Sequence, residues 1–240
     1  MGKFRWLIFL SFAFLFVAPM LAHADELDYD AELNGYYWGT NTTTPVYTSS
    51  AASFGVDVDV RFKKNSGLDN FGFTAEYTTT PKGPRLTNTG GMFQTTDANG
   101  NTGFPISVGG GAFGLVVPGG YQFGGGKLKY FLTPSATNSG LKADVYGDYF
   151  SSTGARNAWG IGGELGDNFT KSLFADGFLD YNNVTGNGFP SQTLWRYQAR
   201  LGYRIGDTNV HAFVGYRGYN YSRFFNTTIN GVIAGLGAHW

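Results

Sequence analysis

Charged side chains recur in this chain at spacings that would bring them together in extended structure. Arg196, Arg200 and Arg204 stand at every fourth position, and Asp57 and Asp59 alternate with apolar neighbours, as does Glu32. Residues two or four apart share one face of a strand. Opposite charges facing each other in a narrow space of low dielectric either pair or create a strong transverse field. The chemistry predicted by these spacings is therefore ion pairing or ion passage.

Catalytic chemistry has little support in the sequence. Beyond residue 24 there are two histidines, His211 and His239, and neither has a serine at a useful spacing. The glycine-rich runs lack the Lys-Ser/Thr pair of a phosphate-binding loop. We expect that the protein is not an enzyme, that it uses no cofactor and that it has no metal site. There is no cysteine, so an exported form would need to be stable without disulfides.

The elements that must position the charges are alternating strands. In each, apolar side chains occupy one face and polar or charged side chains the other, with every proline of the mature chain outside the segments. In two of them, aromatic residues also lie on the polar face: Phe174, Phe178, Phe213 and Tyr219. The ten predicted strands are 26–38, 54–63, 71–78, 127–133, 141–149, 158–166, 173–181, 195–205, 210–219 and 229–240.

The first residues predict export. Lys3 and Arg5 precede an apolar run that ends in the small-residue pattern Ala22-His23-Ala24, which is typical of a signal peptide cleaved after residue 24. Removal of Lys3 and Arg5 reduces 17 basic residues to 15 against 17 acidic ones, a net charge of about −2. Nothing in this balance suggests nucleic-acid binding.

Two architectures accommodate strands of this kind, a soluble sandwich and a transmembrane barrel. The strands are long, short turns alternate with longer links, and aromatic residues gather near strand ends, as in the girdles at membrane interfaces. These features favour the barrel. The predicted girdle residues are Tyr36, Tyr37, Trp38, Tyr149, Trp159, Tyr181, Trp195, Tyr197 and Tyr216 at one rim and Phe62, Phe71, Tyr203 and Trp240 at the other.

The chain ends "GVIAGLGAHW", with apolar residues at alternate positions and a terminal Trp240. In this it resembles bacterial outer-membrane β-barrel proteins. The resemblance implies that Leu236 and Trp240 belong to an assembly signal read by the barrel-assembly machinery. It also implies that the last strand pairs with the first. Residues 25–240 would form one domain in the outer membrane, in contact with its lipid and with lipopolysaccharide.

We expect an all-β, antiparallel up-and-down barrel of ten strands, with both termini periplasmic. Residues 79–120 then form one long outer loop. Twelve strands remain an alternative if this region adds a hairpin, and eight if two strands are misread. A hairpin of the first two strands would place Asp28 opposite Lys63, Asp30 opposite Arg61 and Glu32 opposite Asp59.

Charge on the lipid face of a barrel costs up to about 2–4 kcal/mol, so the charged faces should turn inward. The predicted lumen set is Asp28, Asp30, Glu32, Asp57, Asp59, Arg61, Asp176, Asp180, Arg196, Arg200, Arg204 and Arg217. The lumen is either a water-filled pore with a transverse field or a closed core of ion pairs. The predicted function is a small channel for ions or small hydrophilic solutes. The alternative is a non-transporting anchor or surface-binding barrel that uses Thr/Asn/Gly-rich loops.

Overall fold

The structure is a computed structural model. It describes residues 29–43, 48–63, 68, 70–79, 85–89, 92–96, 106–107, 122–133, 140–152, 156–186, 189–222 and 226–240. The predicted signal peptide and Asp28 lie outside the described residues. Within these ranges no helix is long and apolar enough to cross a membrane.

Thirteen antiparallel strands account for nearly all of the described residues. They are β1 (Tyr29–Thr43), β2 (Thr48–Phe62), β3 (Phe71–Thr79), β4 (Arg85–Thr89), β5 (Met92–Thr96), β6 (Ile106–Ser107), β7 (Gln122–Phe131), β8 (Leu141–Ser152), β9 (Arg156–Asn168), β10 (Leu173–Gly186), β11 (Phe189–Arg204), β12 (Val210–Ser222) and β13 (Thr227–His239).

Ten of these strands close into a barrel in the order β1-β13-β12-β11-β10-β9-β8-β7-β3-β2. The prediction of ten strands is confirmed. Strands β4, β5 and β6 form a separate three-stranded sheet and add nothing to the barrel wall, which removes the twelve-stranded alternative. The two strands that an eight-stranded barrel would lack, β3 and β7, are both present and pair with each other.

The closing seam joins β1 to β13, as the resemblance implied. Leu33 pairs with Ala238 and Gly35 with Leu236. Trp240 is part of the hydrogen-bonded ladder at this seam, because Trp240 and Ala31 exchange two backbone hydrogen bonds of 3.0 Å. The closed ring of paired strands therefore leaves no open sheet edge among the ten strands.

Register follows the predicted pattern in the hairpins with the clearest alternation. Asp30 pairs with Arg61 and Glu32 with Asp59, as expected for β1 and β2. At the turn after β11, Arg204 pairs with His211. We call the barrel end that contains Tyr29 and His239 the turn end, and the opposite end, at Thr43 and Thr227, the loop end.

The outer face of the barrel is apolar and exposed. Ile161 is 71% exposed and Leu128 67%, values that a soluble core residue would not show. An exposed apolar surface of this extent marks contact with another apolar phase, which for a closed barrel is lipid. Exposed aromatic residues of this face include Tyr37, Tyr149, Trp159, Tyr181, Trp195 and Tyr216 nearer the loop end and Phe71, Tyr130 and Tyr203 nearer the turn end.

Two sequence-based expectations are wrong. Tyr36 and Trp38 do not belong to the outer girdle, since both side chains are buried inside the barrel. The loop-end links are also shorter than expected, apart from the one between β3 and β7. Strands β1 and β2 continue to Thr43 and Thr48, because threonine favours strands and the ladder continues beyond the apolar band.

Candidate functional site: the barrel lumen

Arg196 lies at the centre of the lumen and is completely buried. Its Nε and Nη2 donate to the two carboxylate oxygens of Asp180, at 2.9 and 2.7 Å. Nη2 also donates to Asp148 Oδ2 at 2.7 Å, and Nη1 is 3.6 Å from Glu76 Oε2. The guanidinium is stacked on the ring of Phe150, 3.5 Å from its centroid. One arginine thus connects carboxylates from β3, β8 and β10.

A second buried arginine, on the strand next to that of Arg196, completes this layer. Arg217 on β12 donates to Glu76 and to the hydroxyl of Tyr36, and that hydroxyl also lies 2.8 Å from Thr78 Oγ1. Arg217 is 2% exposed. We call the layer formed by Glu76, Asp148, Asp180, Arg196 and Arg217 the septum, because it joins opposite walls of the barrel with buried charged groups.

The loop-end side of the septum is filled with apolar side chains, which we call the apolar cluster. Phe123 and Phe150 are stacked with ring centroids 4.6 Å apart, and Trp38 meets Tyr219 edge to face at 5.0 Å. A water-filled pore would need polar groups here. The buried members are Tyr36, Trp38, Phe123, Phe150, Ala158, Val184, Leu194, Phe213, Tyr219, Ile229 and Ile233. Phe213 extends this cluster past Arg217 toward the turn end, where Arg200 lies over its ring.

The turn-end side of the septum is a charged cavity of about 760 Å³. Its lining reaches the turns that follow β9 and β11, including Lys171 and Asp207, so it opens at the turn end. On one wall Lys129 contacts three carboxylates, Asp59 at 2.9 Å, Glu164 at 3.1 Å and Asp144 at 3.8 Å. Lys129 is 3% exposed, so its charge needs these partners.

The predicted pairing within β10 and β11 is present. Asp176 stands opposite Arg200 and Asp180 opposite Arg196 in the register of the two strands. Arg200 Nε donates to Asp176 at 2.7 Å and its Nη2 lies 3.9 Å from Glu32 across the lumen. The sequence spacing singled out two rows of opposite charge, an acidic row of Glu32, Asp57 and Asp59 and a basic row of Arg196, Arg200 and Arg204. The contact between Arg200 and Glu32 joins these two rows.

The other predicted lumen residues have local partners. Asp59 pairs with Lys129, Asp57 accepts from Asn34 Nδ2 at 3.0 Å, and Asp30 lies 3.4 Å from Lys63 at the rim. Arg61 donates to the Thr133 carbonyl at 2.6 Å, and Arg204 to Asn168 Oδ1 at 2.8 Å. Because most of these charges are matched nearby, the two predicted rows do not face each other as free charges.

Sequence reasoning missed important members of the site. Glu76, Lys129 and Asp148 fall on inward faces by alternation. Lys129 shares its face of β7 with Lys127 and Asp148 shares its face of β8 with Asp144, so the spacing could have identified both, whereas Glu76 has no like-charged neighbour on β3. The aromatic residues on the polar faces were a further signal. Phe178 and Phe213 indicated that part of the lumen is apolar.

The two histidines are structural neighbours of the cavity. His211 Nε2 is 3.0 Å from Asn34 Oδ1 and 3.7 Å from Glu32 Oε1, and its ring meets Phe174 edge to face. His211 pairs with Gly237 in the register of β12 and β13, and His239 lies two positions further along β13. These partners orient the imidazole, and none of them is a nucleophile.

The comparisons with known proteins identify the fold. No protein-family model matches the chain, and no curated protein sequence matches it significantly. Among solved structures, the outer-membrane protease OmpT of Escherichia coli has a TM-score of 0.52 at 10% identity, over 88% of this chain and 96% of that one.

Two further solved structures resemble the chain more weakly. Ail of Yersinia pestis, crystallised with a heparin analogue, gives a TM-score of 0.37 at 9% identity, over 89% of this chain and all of that one. OprG of Pseudomonas aeruginosa gives 0.31 at 11% identity, over 89% and 97%. The closed ten-stranded barrel and its likeness to OmpT give the chain the fold of the bacterial outer-membrane β-barrel proteins, and at 10% identity the likeness is one of fold alone.

Proposed function

We propose that this protein is an outer-membrane barrel with a closed lumen, which acts as a non-transporting anchor or surface-binding protein. The observation that supports this proposal is the septum. Arg196 is fully buried and bonded to Asp148 and Asp180, whose side chains are equally inaccessible. Together with the apolar cluster, this layer lies across the path that a solute would have to take, which supports a closed lumen.

The apolar outer face would contact outer-membrane lipid. Single-chain bacterial barrels keep their termini in the periplasm. The turn end of this chain would then face the periplasm, and the loop end would face lipopolysaccharide and the outside. The small sheet of β4, β5 and β6 lies in the chain between β3 and β7, which is the longest loop-end connection, so this segment is the candidate surface for binding.

A channel for ions or small hydrophilic solutes is the second candidate, and the turn-end cavity supports it. The cavity is lined by both charge signs and reaches from the turn end to the septum. Passage of a solute would then require that Arg196 and Arg217 leave their carboxylates. Such a motion would expose several buried charges, so it is costly unless water enters with it.

A conductance recording in a planar lipid bilayer tests the two candidates. The closed-lumen proposal predicts no steps for the refolded protein, and none for a variant that lacks residues 86–116, because the septum lies within the barrel wall. Conductance of the unaltered protein would support the channel instead. Conductance that appears only after the deletion would mean that this loop, and not the septum, closes the barrel.

A second experiment concerns recognition by the barrel-assembly machinery. Removal of Trp240 should strongly reduce insertion, because it deletes the backbone pair with Ala31 at the seam. Leu236→Asp should have a similar effect, since Leu236 is 60% exposed on the lipid face. His239→Ala, on the other face of the same strand, is the control. Normal amounts of the first two variants in outer-membrane fractions would contradict the proposed signal.

A further inference from the structure

We propose that the turn-end cavity binds a small zwitterion, with the carboxylate of the ligand at Lys127 and its ammonium group at Asp57. Both side chains line the cavity. The site lies where the cavity meets the septum, because Asp57 pairs with Glu76 and Lys127 with Asp148 in the strand ladders. Binding there does not require that the lumen conducts.

Lys127 is a buried cation with no carboxylate within ion-pair distance among the described residues. It is 5% exposed, and its Nζ lies over two rings, 3.8 Å from the centroid of Phe178 and 4.3 Å from that of Tyr146. Among the described residues, those rings are its close partners, and neither a carboxylate nor another hydrogen-bond acceptor is within bonding distance. Ring faces attract the charge but accept no strong hydrogen bond, so the ammonium group retains donors for a partner in the cavity.

Asp57 is the complementary group. Its hydrogen-bond partner among the described residues is Asn34, a neutral amide, and no cation of that part of the chain is within ion-pair distance. Asp57 pairs with Glu76 across β2 and β3, and Lys127 pairs with Thr74 across β3 and β7. The two unmatched charges therefore stand on either side of β3 and project into the same cavity.

The neighbouring charges are already engaged and do not substitute for a ligand. Lys129 is held by three carboxylates, Arg200 by Asp176, and Glu76 by Arg217. A simple anion at Lys127 would leave Asp57 unmatched and add a like charge near it. A simple cation at Asp57 would do the same to Lys127. A molecule with both charges satisfies both groups at once, and about 760 Å³ is within the usual size of small-molecule pockets.

Titration calorimetry of the full mature barrel, refolded in detergent micelles, tests this proposal. L-Alanine, propionate and ethylamine share a short carbon skeleton. Alanine carries both charges, propionate carries only the negative charge, and ethylamine carries only the positive charge. We expect measurable binding of alanine and at least tenfold weaker binding of the other two ligands. Lys127→Gln and Asp57→Asn should each weaken alanine binding by about tenfold or more, because each removes a charge-assisted hydrogen bond.

Lys142→Gln is the matched control, since Lys142 is an exposed lysine at the cavity mouth and should leave alanine binding unchanged. Lys127→Arg keeps the charge and should bind better than Lys127→Gln, which separates a loss of contact from a loss of fold. The proposal is overturned if alanine does not bind at millimolar concentration. It is equally overturned if propionate or ethylamine binds as tightly as alanine, or if Lys127→Gln and Lys142→Gln behave alike.

Discussion

The loop half and the turn half of the lumen lie within the same ten strands but have opposite interiors. On the loop side of Arg196 the rings of Trp38, Phe150 and Tyr219 fill the barrel, whereas on the turn side charged groups surround a cavity. The outer face is apolar along both halves. The difference shows that alternation decides which side chains face inward, while the chemistry of the interior varies along the strand axis.

The largest contrast should appear in chemical accessibility. Leu194 and Gln198 stand on β11, on the loop side and the turn side of Arg196, and only Gln198 lines the cavity. The chain has no cysteine, so single cysteines can be labelled without background. Gln198→Cys should react readily with a water-soluble maleimide in the folded barrel, while Leu194→Cys should react only after unfolding. Equal labelling of the two variants in the folded barrel would contradict the distinction between an apolar loop half and a turn half that contains a cavity.

Stability should differ next. Arg196→Met leaves the carboxylates of Asp148 and Asp180 buried without a cation, which should reduce the free energy of unfolding by about 3–5 kcal/mol. Arg204→Met removes a partly exposed arginine that bonds to neutral oxygens, and should cost about 1 kcal/mol or less. Urea titrations of the detergent-folded barrels give both values. Similar losses would mean that the septum is no more essential than the cavity rim.

A smaller effect tests how tightly the apolar cluster is packed. Ile233 is 1% exposed within the loop half, so Ile233→Val should lower the free energy of unfolding by about 0.5–1.5 kcal/mol through the loss of one buried methylene. Ile161→Val on the lipid face is the matched change and should have almost no effect in detergent. If the two variants were equally stable in the same urea titration, the loop half would be loosely filled.

The sequence was sufficient to predict the barrel, its ten strands and the facing of the charged side chains. Asp30, Glu32 and Arg204 have the partners that alternation and the short turns demand. The septum could not be predicted in the same way, because Arg196 meets Asp148 and Glu76 across the lumen, from strands that are not its neighbours. Cross-lumen contacts depend on the curvature of the closed barrel, and no local spacing encodes them.

The loop-end strand lengths were missed for a different reason. Beyond the apolar band both faces of β1 and β2 carry threonine, serine and asparagine, so the alternation fades although the ladder continues to Thr43 and Thr48. The inward orientation of the Tyr36 and Trp38 side chains was missed for another reason. An aromatic cluster near a strand end is typical of a membrane girdle, and it is equally compatible with an apolar cluster inside the barrel.

The span of the septum also constrains how the barrel can be assembled. Arg196 on β11 binds Asp148 on β8 and approaches Glu76 on β3, while Arg217 on β12 reaches Glu76 and Tyr36 on β1. A sheet that has gained only its first strands exposes acids whose cations arrive with the last hairpins. Charge matching is therefore completed only when the ring closes. Closure should be an abrupt and late event, and a partly assembled barrel should not accumulate as a stable folding intermediate.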